Sequence, residues 1–269
     1  MSTVTLPETA PAPAFERPTG KGLSFGRLLH VELRKQVDTR GGRGLLIAIA
    51  VMTMMALAGV MYFQRETGAS YSNLVSAVAS PQGMLIPVLG IITACNEWSQ
   101  RTALITFTQE PRRWRVVAAK TLAAILWATA FLLLAWGLAA VCHMVSMSIA
   151  GNPVDFDLDA KAHLGGWIGQ LVGVLMGLGF GFLLLITPLA IAAYFVLPTL
   201  VAGITMGVPA LQKYAPWVNT TTPPIVQDPM VMGMPEVSHP WAKFATTILL
   251  WVVLPYVAGA VRVLRREVK

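Results

Sequence analysis

The feature that constrains this chain most is a series of long apolar segments. No Asp, Glu, Lys, Arg or His occurs in residues 44–63, 121–142, 164–212 or 244–261. A run of about 20 apolar residues can cross the hydrocarbon core of a bilayer as an α-helix. Charged residues make up only 12% of the chain, whereas a soluble domain carries about 25%. The sequence therefore predicts an all-α, polytopic membrane helix bundle.

The apolar segments divide into six predicted spans, near residues 44–63, 82–97, 117–142, 164–186, 188–208 and 243–262. The second span is the weakest because Pro81, Gly83 and Pro87 interrupt it, and five spans are the alternative. The fourth and fifth spans form one uncharged run that is too long for a single helix, and we divide it at Thr187-Pro188. We expect one transmembrane domain over residues 23–269, preceded by a proline-rich, disordered cytoplasmic tail at residues 1–22.

Basic residues are concentrated on one predicted side of the membrane. If both termini and the loop between the second and third spans share a side, that side holds 16 of the 20 Lys and Arg residues. The positive-inside rule then makes both termini and this loop cytoplasmic. A basic rim facing anionic lipid accounts for the net charge of +7, and no nucleic-acid partner is expected.

Residues 24–38 predict an amphipathic helix that lies in the inner membrane interface. Ser24 is a suitable N-cap. Apolar residues recur at every fourth position after it, namely Phe25, Leu29, Leu33 and Val37.

The loop from residue 97 to residue 120 is the most basic internal segment. It holds five basic residues, which are Arg101, Arg112, Arg113, Arg115 and Lys120. Residues 102–109 are sufficient for a short helix, which Pro111 is expected to end. A short surface helix between two spans is suited to contact a partner.

The order of residues in this loop resembles a known signature. Glu97 is followed by Thr102, and Pro111 is followed by Arg113 and Lys120. This pattern resembles the segment between spans two and three of type-2 ABC exporter permeases, including antibiotic-efflux and lantibiotic-immunity subunits. The likeness in architecture extends over residues 24–269, but this chain has Arg101 where the family often has glycine.

The resemblance implies a function and a set of partners. Two copies, or one copy and a homologue, would form the pore, and a separate ABC ATPase subunit would dock under the loop and bind ATP and Mg²⁺. The chain itself would be neither an enzyme nor a cofactor-binding protein. It would export a hydrophobic or amphipathic drug, peptide or lipid-like substrate across the plasma membrane, which we expect to be a bacterial inner membrane. The helix at residues 102–109 would be the coupling helix. Its predicted site residues are Glu97, Thr102, Leu104, Ile105, Phe107, Pro111, Arg113 and Lys120, of which Leu104, Ile105 and Phe107 would fill the ATPase groove.

Other interpretations remain open at this point. The three apolar residues of the loop could simply be buried against the chain's own spans. The chain could be a membrane scaffold or regulatory subunit that moves nothing, or a metal-handling permease of the same fold. Soft ligands suited to Cu(I) occur at Met230, Met232, Met234 and His239, together with Cys142, His143, Met144 and Met147.

The fourth predicted span carries glycines at a regular spacing of four, namely Gly165, Gly169, Gly173, Gly177 and Gly181. This spacing places all five on nearly one stripe of a helix, which allows a second helix to approach to backbone contact. The partner helix could belong to the same chain or to a second copy.

Overall fold

The computed structural model describes residues 23–220 and 239–266. Within these residues the chain is helical, and six helices are long and apolar enough to cross a membrane. They are Arg40–Phe63, Tyr71–Ser99, Arg113–Ile149, Ala160–Leu184, Thr187–Gly207 and Trp241–Arg265. An all-α protein with six candidate spans is therefore confirmed. The predicted disordered tail lies outside the described residues.

We number the α-helices in chain order. They are α1 (Phe25–Asp38), α2 (Arg40–Phe63), α3 (Tyr71–Ser99), α4 (Ala103–Gln109), α5 (Arg113–Ile149), α6 (Ala160–Leu184), α7 (Thr187–Gly207), α8 (Ala215–Val218), α9 (Pro240–Ile248) and α10 (Leu254–Arg265). A 3₁₀ segment, Pro209–Tyr214, precedes α8, and a π-helical turn, Leu249–Val253, joins α9 to α10.

Four helices begin after a residue whose side-chain oxygen accepts a hydrogen bond from the first turn. These residues are Ser24 before α1, Thr39 before α2, Ser70 before α3 and Asp159 before α6. Each one satisfies a backbone N–H that has no partner inside the helix. The caps therefore set where the helices begin.

The second span is longer than predicted. α3 begins at Tyr71 and continues through Pro81 and Pro87 without a break. A proline inside a spanning helix is tolerated where neighbouring helices satisfy the freed backbone groups, and both prolines are buried in the bundle. The link before α3 is consequently only a few residues long.

The long uncharged run divides as predicted. α6 ends at Leu184, and Leu185 has a left-handed φ of 59°. α7 begins at Thr187 with Pro188 in its first turn, where the missing N–H of proline does no harm. The two helices therefore form a tight hairpin.

α6 lies at the centre of the bundle, with α3 on one side and α10 on the other. Its Val174, Leu178 and Phe182 belong to the main apolar core. On the α10 side, a Cβ atom added to Gly179 would lie 2.9 Å from the Tyr256 nitrogen. α6 thus approaches both neighbours closely through glycine.

The spans alternate in direction, so the bundle has two ends. At the end that carries α1 and α4, which we call the α4 end, the Arg262 guanidinium donates to the Leu183 carbonyl. At the opposite end, Ser146 Oγ accepts from the Ala69 N–H at 2.8 Å. Hydrogen bonds between segments that are distant in the sequence therefore join the helices at both ends of the bundle.

Candidate functional site

The loop that joins α3 to α5 is short and mostly helical. Thr102 occupies the N-cap position of α4, although its hydroxyl makes no capping bond. Its N–H donates to the Glu97 carbonyl at 2.9 Å, and its carbonyl accepts from the Thr106 N–H at 3.0 Å. α4 ends at Gln109, just before Pro111, as expected because the residue before a proline disfavours the helical conformation.

The turn from α3 into α4 requires a left-handed residue. Arg101 has a φ of 57°. A residue other than glycine in this region costs roughly 1–3 kcal/mol. The turn requires a positive φ at residue 101, which is the position where the family that the sequence resembles often has glycine. This chain adopts the positive φ with arginine, at a conformational cost.

The three apolar residues of α4 do not share a face. Leu104 and Ile105 are 55% and 58% exposed. Phe107 is half-buried and packs against Leu28 and Val116. Successive residues on an α-helix are rotated by about 100°, so residues 105 and 107 point in nearly opposite directions. Of the three residues expected to fill an ATPase groove, Leu104 and Ile105 are therefore exposed, whereas Phe107 packs within the chain.

Four charged side chains from three helices form a closed network of ion pairs, which we call the charge cluster. Lys120 Nζ lies 2.8 Å from Glu32 Oε2 and 2.6 Å from Glu97 Oε1. Lys35 Nζ lies 2.6 Å from Glu32 Oε1 and 2.8 Å from Glu97 Oε1. Each carboxylate thus contacts both ammonium groups. The cluster joins α1, α3 and α5.

The charge cluster is almost fully removed from solvent. The side chains of Glu32, Glu97 and Lys120 are at most 4% exposed, while Lys35 is 27% exposed. Burying an ion costs several kcal/mol unless its partners replace the lost hydration. Two positive and two negative charges sum to zero here, and Lys120 also donates to the Thr93 carbonyl at 3.0 Å. Each charge is compensated only while the other three are present.

The sequence predicted the position of two members of this cluster but not their pairing. Glu97 was expected at the end of the second span and Lys120 at the start of the third, and they lie within α3 and α5. Glu32 and Lys35 were not anticipated.

The burial pattern of α1 explains why these residues were missed. Its buried residues are Leu28, Glu32 and Gln36, one position away from the predicted apolar stripe, and Val37 of that stripe is 43% exposed. Leu28, Glu32 and Gln36 recur at every fourth position, as residues on one face of a helix do. Because this face contains an acid and an amide, its sequence is typical of a solvent-exposed face.

Arg113 connects the loop to the C-terminal end of α10. Its Nη1 donates to the carbonyls of Val263 at 3.2 Å and of Arg266 at 2.6 Å. Carbonyls at the end of a helix lack partners within it, and a cation satisfies them well. The same guanidinium lies 4.8 Å from the centre of the Phe107 ring. Arg113 therefore holds α4 and α10 together.

A second arginine connects the loop to the start of α1. Arg115 forms an ion pair with Glu110, and its Nη2 donates to the Leu23 carbonyl at 2.8 Å. Neither Glu110 nor this contact was predicted from the sequence.

Between α1 and α4 lies a groove, which we call the α1–α4 groove. Its volume is about 320 Å³. Glu32, Lys35 and Glu97 of the charge cluster line it, together with Ile105 and Thr106 of α4. The outward face of α4 is therefore continuous with the cluster.

The predicted glycine stripe lies along α6 and faces α3 of the same chain. A Cβ atom at Gly177 would overlap the Pro87 carbonyl oxygen, and one at Gly181 would lie 2.6 Å from Ala94 Cβ. At Gly173 the added atom would lie 3.2 Å from Pro87 Cγ, which is less crowded. Of the remaining two glycines, Gly165 is buried and Gly169 is half-buried. The backbones are thus closest at Gly177.

The soft ligands expected for Cu(I) lie only partly within the described residues. Met230, Met232 and Met234 lie outside them. His143 Nδ1 is 2.7 Å from the Ala69 carbonyl oxygen and its Nε2 is 3.0 Å from the Asp155 carbonyl oxygen, so both ring nitrogens face backbone carbonyls of this chain. In residues 23–220 and 239–266 we find no group of three or more His, Cys, Asp or Glu side chains that could hold a metal ion.

No protein-family model matches this chain, and a search of curated proteins finds no significant match. The interpretation of the site therefore rests on the geometry above.

Proposed function

We propose that this chain is the membrane-spanning permease subunit of an ATP-driven ABC exporter, and that α4 is its coupling helix. A separate ATPase subunit binds ATP and Mg²⁺ and docks on α4. The permease moves a hydrophobic or amphipathic compound outward across the plasma membrane of a bacterium. Two copies, or one copy and a homologue, form the pathway.

One observation carries this proposal: α4 presents an apolar pair outward while the helices at its two ends are clamped together. Leu104 and Ile105 are more than half exposed. Directly beyond the loop, Glu97 of α3 and Lys120 of α5 are paired at 2.6 Å. A displacement of α4 by a partner would therefore move α3 and α5 as a unit. Through Glu32 it would also move α1.

The distribution of charge supports a cytoplasmic position for the α4 end. Basic residues at this end of the described chain include Arg101, Arg112, Arg113, Arg115, Arg262 and Arg265. The positive-inside rule places such an end in the cytoplasm, where an ATPase can reach α4. In this orientation α1 lies at the inner interface against anionic lipid.

The decisive experiment co-expresses the chain with an ABC ATPase encoded by a neighbouring gene. Ile105→Asp would bury an unpaired carboxylate in the docking interface, which is strongly unfavourable. We expect the wild type to co-purify with the ATPase and to support ATP-driven transport in proteoliposomes. In the Ile105→Asp variant both should fall at least tenfold.

Leu158→Asp is the matched control. Leu158 is 66% exposed and lies in the link between α5 and α6 at the opposite end of the bundle, so the same kind of change there should leave both measurements unaltered. An Ile105→Asp variant that binds and transports like the wild type would refute the role of α4. Co-purification of the ATPase without transport by any variant would instead favour a regulatory scaffold.

A further inference from the structure

A cavity lies between α3, α5, α6, α7 and the last span, away from the charge cluster. Its volume is about 460 Å³, which is in the range of sites for drug-sized ligands. Its lining includes Leu132, Trp136, Met176, Phe195 and Trp251. We call it the inter-helix cavity.

The part of the cavity wall that the described residues form carries no charged side chain. Among the described residues no Asp, Glu, Lys, Arg or His lines it. The α1–α4 groove, by contrast, is lined by Glu32, Lys35 and Glu97. A charged ligand group entering the inter-helix cavity would lose its hydration without gaining a counter-charge, which costs far more than burying a neutral group. This wall therefore favours an uncharged ligand group.

A buried amide on the cavity wall lacks a partner. Gln170 of α6 is 9% exposed, and its Nε2 forms no hydrogen bond to any atom of residues 23–220 or 239–266. An unpaired buried amide is unfavourable, so a turn of the Gln170 side chain toward the cavity, with Nε2 donating to a ligand oxygen, would remove this penalty. Two further polar groups on the wall are already engaged: Trp251 Nε1 donates to the Val218 carbonyl at 2.6 Å, and Thr247 Oγ1 to the Trp217 carbonyl at 3.2 Å.

The side of the cavity formed by α3 and α6 carries little bulk. Four of its lining residues are glycines, which are Gly83, Gly166, Gly169 and Gly173. A Cβ atom added to Gly83 would meet no atom within 4 Å. The cavity therefore has room at this wall, and a larger side chain at position 83 can enter it without disturbing the packing of the helices.

We infer that the inter-helix cavity is a binding site for a neutral amphipathic molecule, whose apolar body contacts the aromatic and aliphatic wall and whose ester, amide or hydroxyl group pairs with the Gln170 amide. The inference deepens the proposed function, because it assigns a substrate class to the permease. Binding itself needs neither ATP nor an ATPase.

The test uses the full chain in phosphatidylcholine nanodiscs, without ATP. The probe is a monoacylglycerol with a diazirine in its acyl chain, and labelled peptides are located by mass spectrometry. The same diazirine chain as a plain alkane is the comparison probe. We expect the monoacylglycerol to label the segments that line the cavity. Gln170→Leu should lower this labelling roughly threefold to tenfold, as for one lost hydrogen bond, and should leave labelling by the alkane unchanged.

A variant whose larger side chain fills the cavity provides a second, independent test. Gly83→Leu should reduce labelling by both probes at least fivefold, whereas Gly137→Leu should not. A Cβ atom at Gly137 also meets nothing within 4 Å, but this residue of α5 does not line the cavity. Ala79→Leu, at another lining position, serves if Gly83→Leu does not fold.

Competition separates two sources of the ligand. Displacement of the probe by diacylglycerol in the nanodisc indicates a bilayer lipid, and displacement by a soluble neutral detergent indicates a solute. Labelling of Gly83→Leu at the wild-type level, or equal effects of Gln170→Leu on both probes, would overturn the inference. Loss of binding would leave the docking of an ATPase on α4 untouched, so the two proposals fail separately.

Discussion

The Lys120 ammonium lies 2.6 Å from the Glu97 carboxylate, although the whole of α4 separates these residues in the sequence. The pair closes the loop at its base, where α3 ends and α5 begins. Glu32 and Lys35 of α1 complete it. The loop is thus a short segment whose two ends are held together at its base.

Breaking the charge cluster should be strongly destabilising. In Lys120→Met, two buried carboxylates remain against a single ammonium group, and we expect a loss of about 3–5 kcal/mol. The double variant Lys120→Met/Glu97→Gln restores neutrality and should be more stable than Lys120→Met alone. Thermal unfolding in detergent, followed by tryptophan fluorescence, measures both.

The exposed pair of Arg34 and Asp38 is the control for this prediction. Their side chains are 70% and 58% exposed, so Arg34→Ala should cost less than about 1 kcal/mol. Equal losses at Lys120 and Arg34 would mean that burial of the cluster contributes nothing.

Residues on the two faces of α4 should respond differently to truncation. Phe107→Ala removes packing against Leu28 and the stacked guanidinium of Arg113, and should cost about 1–3 kcal/mol, less than the 3–5 kcal/mol of a full core position. Ile105→Ala should change stability by less than about 0.5 kcal/mol. Both are read as shifts in melting temperature. A more harmful change at Ile105 would indicate that Ile105 is packed within the chain.

The glycines of α6 should be graded by their distance from α3. Gly177→Ala places a methyl group on the Pro87 carbonyl, and we expect a loss of roughly 1–3 kcal/mol because the helices must separate. Gly173→Ala should be milder. Gly137→Ala in α5, where the added atom meets nothing within 4 Å, should be neutral or slightly stabilising. Melting temperatures and yields of folded protein across the three variants test this order.

The left-handed turn before α4 offers a stabilising change. Arg101→Gly should raise the melting temperature, since glycine adopts a positive φ without strain, and the gain should be about 1 kcal/mol. Arg101→Val should be destabilising because a β-branched residue disfavours this conformation most. Indistinguishable melting temperatures for the two variants would show that the turn relaxes to another conformation.

The orientation of the chain can be tested by cysteine labelling. Gln109 at the α4 end and Asp157 at the opposite end are both exposed. Cys95 and Cys142 are first replaced by alanine, and a single cysteine is then introduced at either position. A membrane-impermeant maleimide should label Asp157→Cys in intact cells and Gln109→Cys only after permeabilisation. The reverse pattern would place α4 outside the cell and remove it from any cytoplasmic ATPase.

Prediction from the sequence was most accurate where one local property decides the outcome. The division between α6 and α7 followed from proline chemistry at Thr187-Pro188, and the end of α4 followed from Pro111. It was least accurate for α3, where Pro81 and Pro87 suggested an interrupted span. The cost of a proline in a helix depends on whether neighbours satisfy the freed groups, and a sequence does not show its neighbours.

For this protein, the sequence by itself determined the number of candidate spans, the helical class and the short helix between α3 and α5, because hydrophobic length and helix termination depend on residues close together in the chain. Only the tertiary structure decided that Glu32 and Lys35 complete the cluster with Glu97 and Lys120, that Phe107 turns inward, and that Gly177 is the tightest contact of the glycine stripe. These outcomes depend on distances between helices far apart in sequence. A charge or a glycine on one helix has a defined energetic role only when the group that it faces is known.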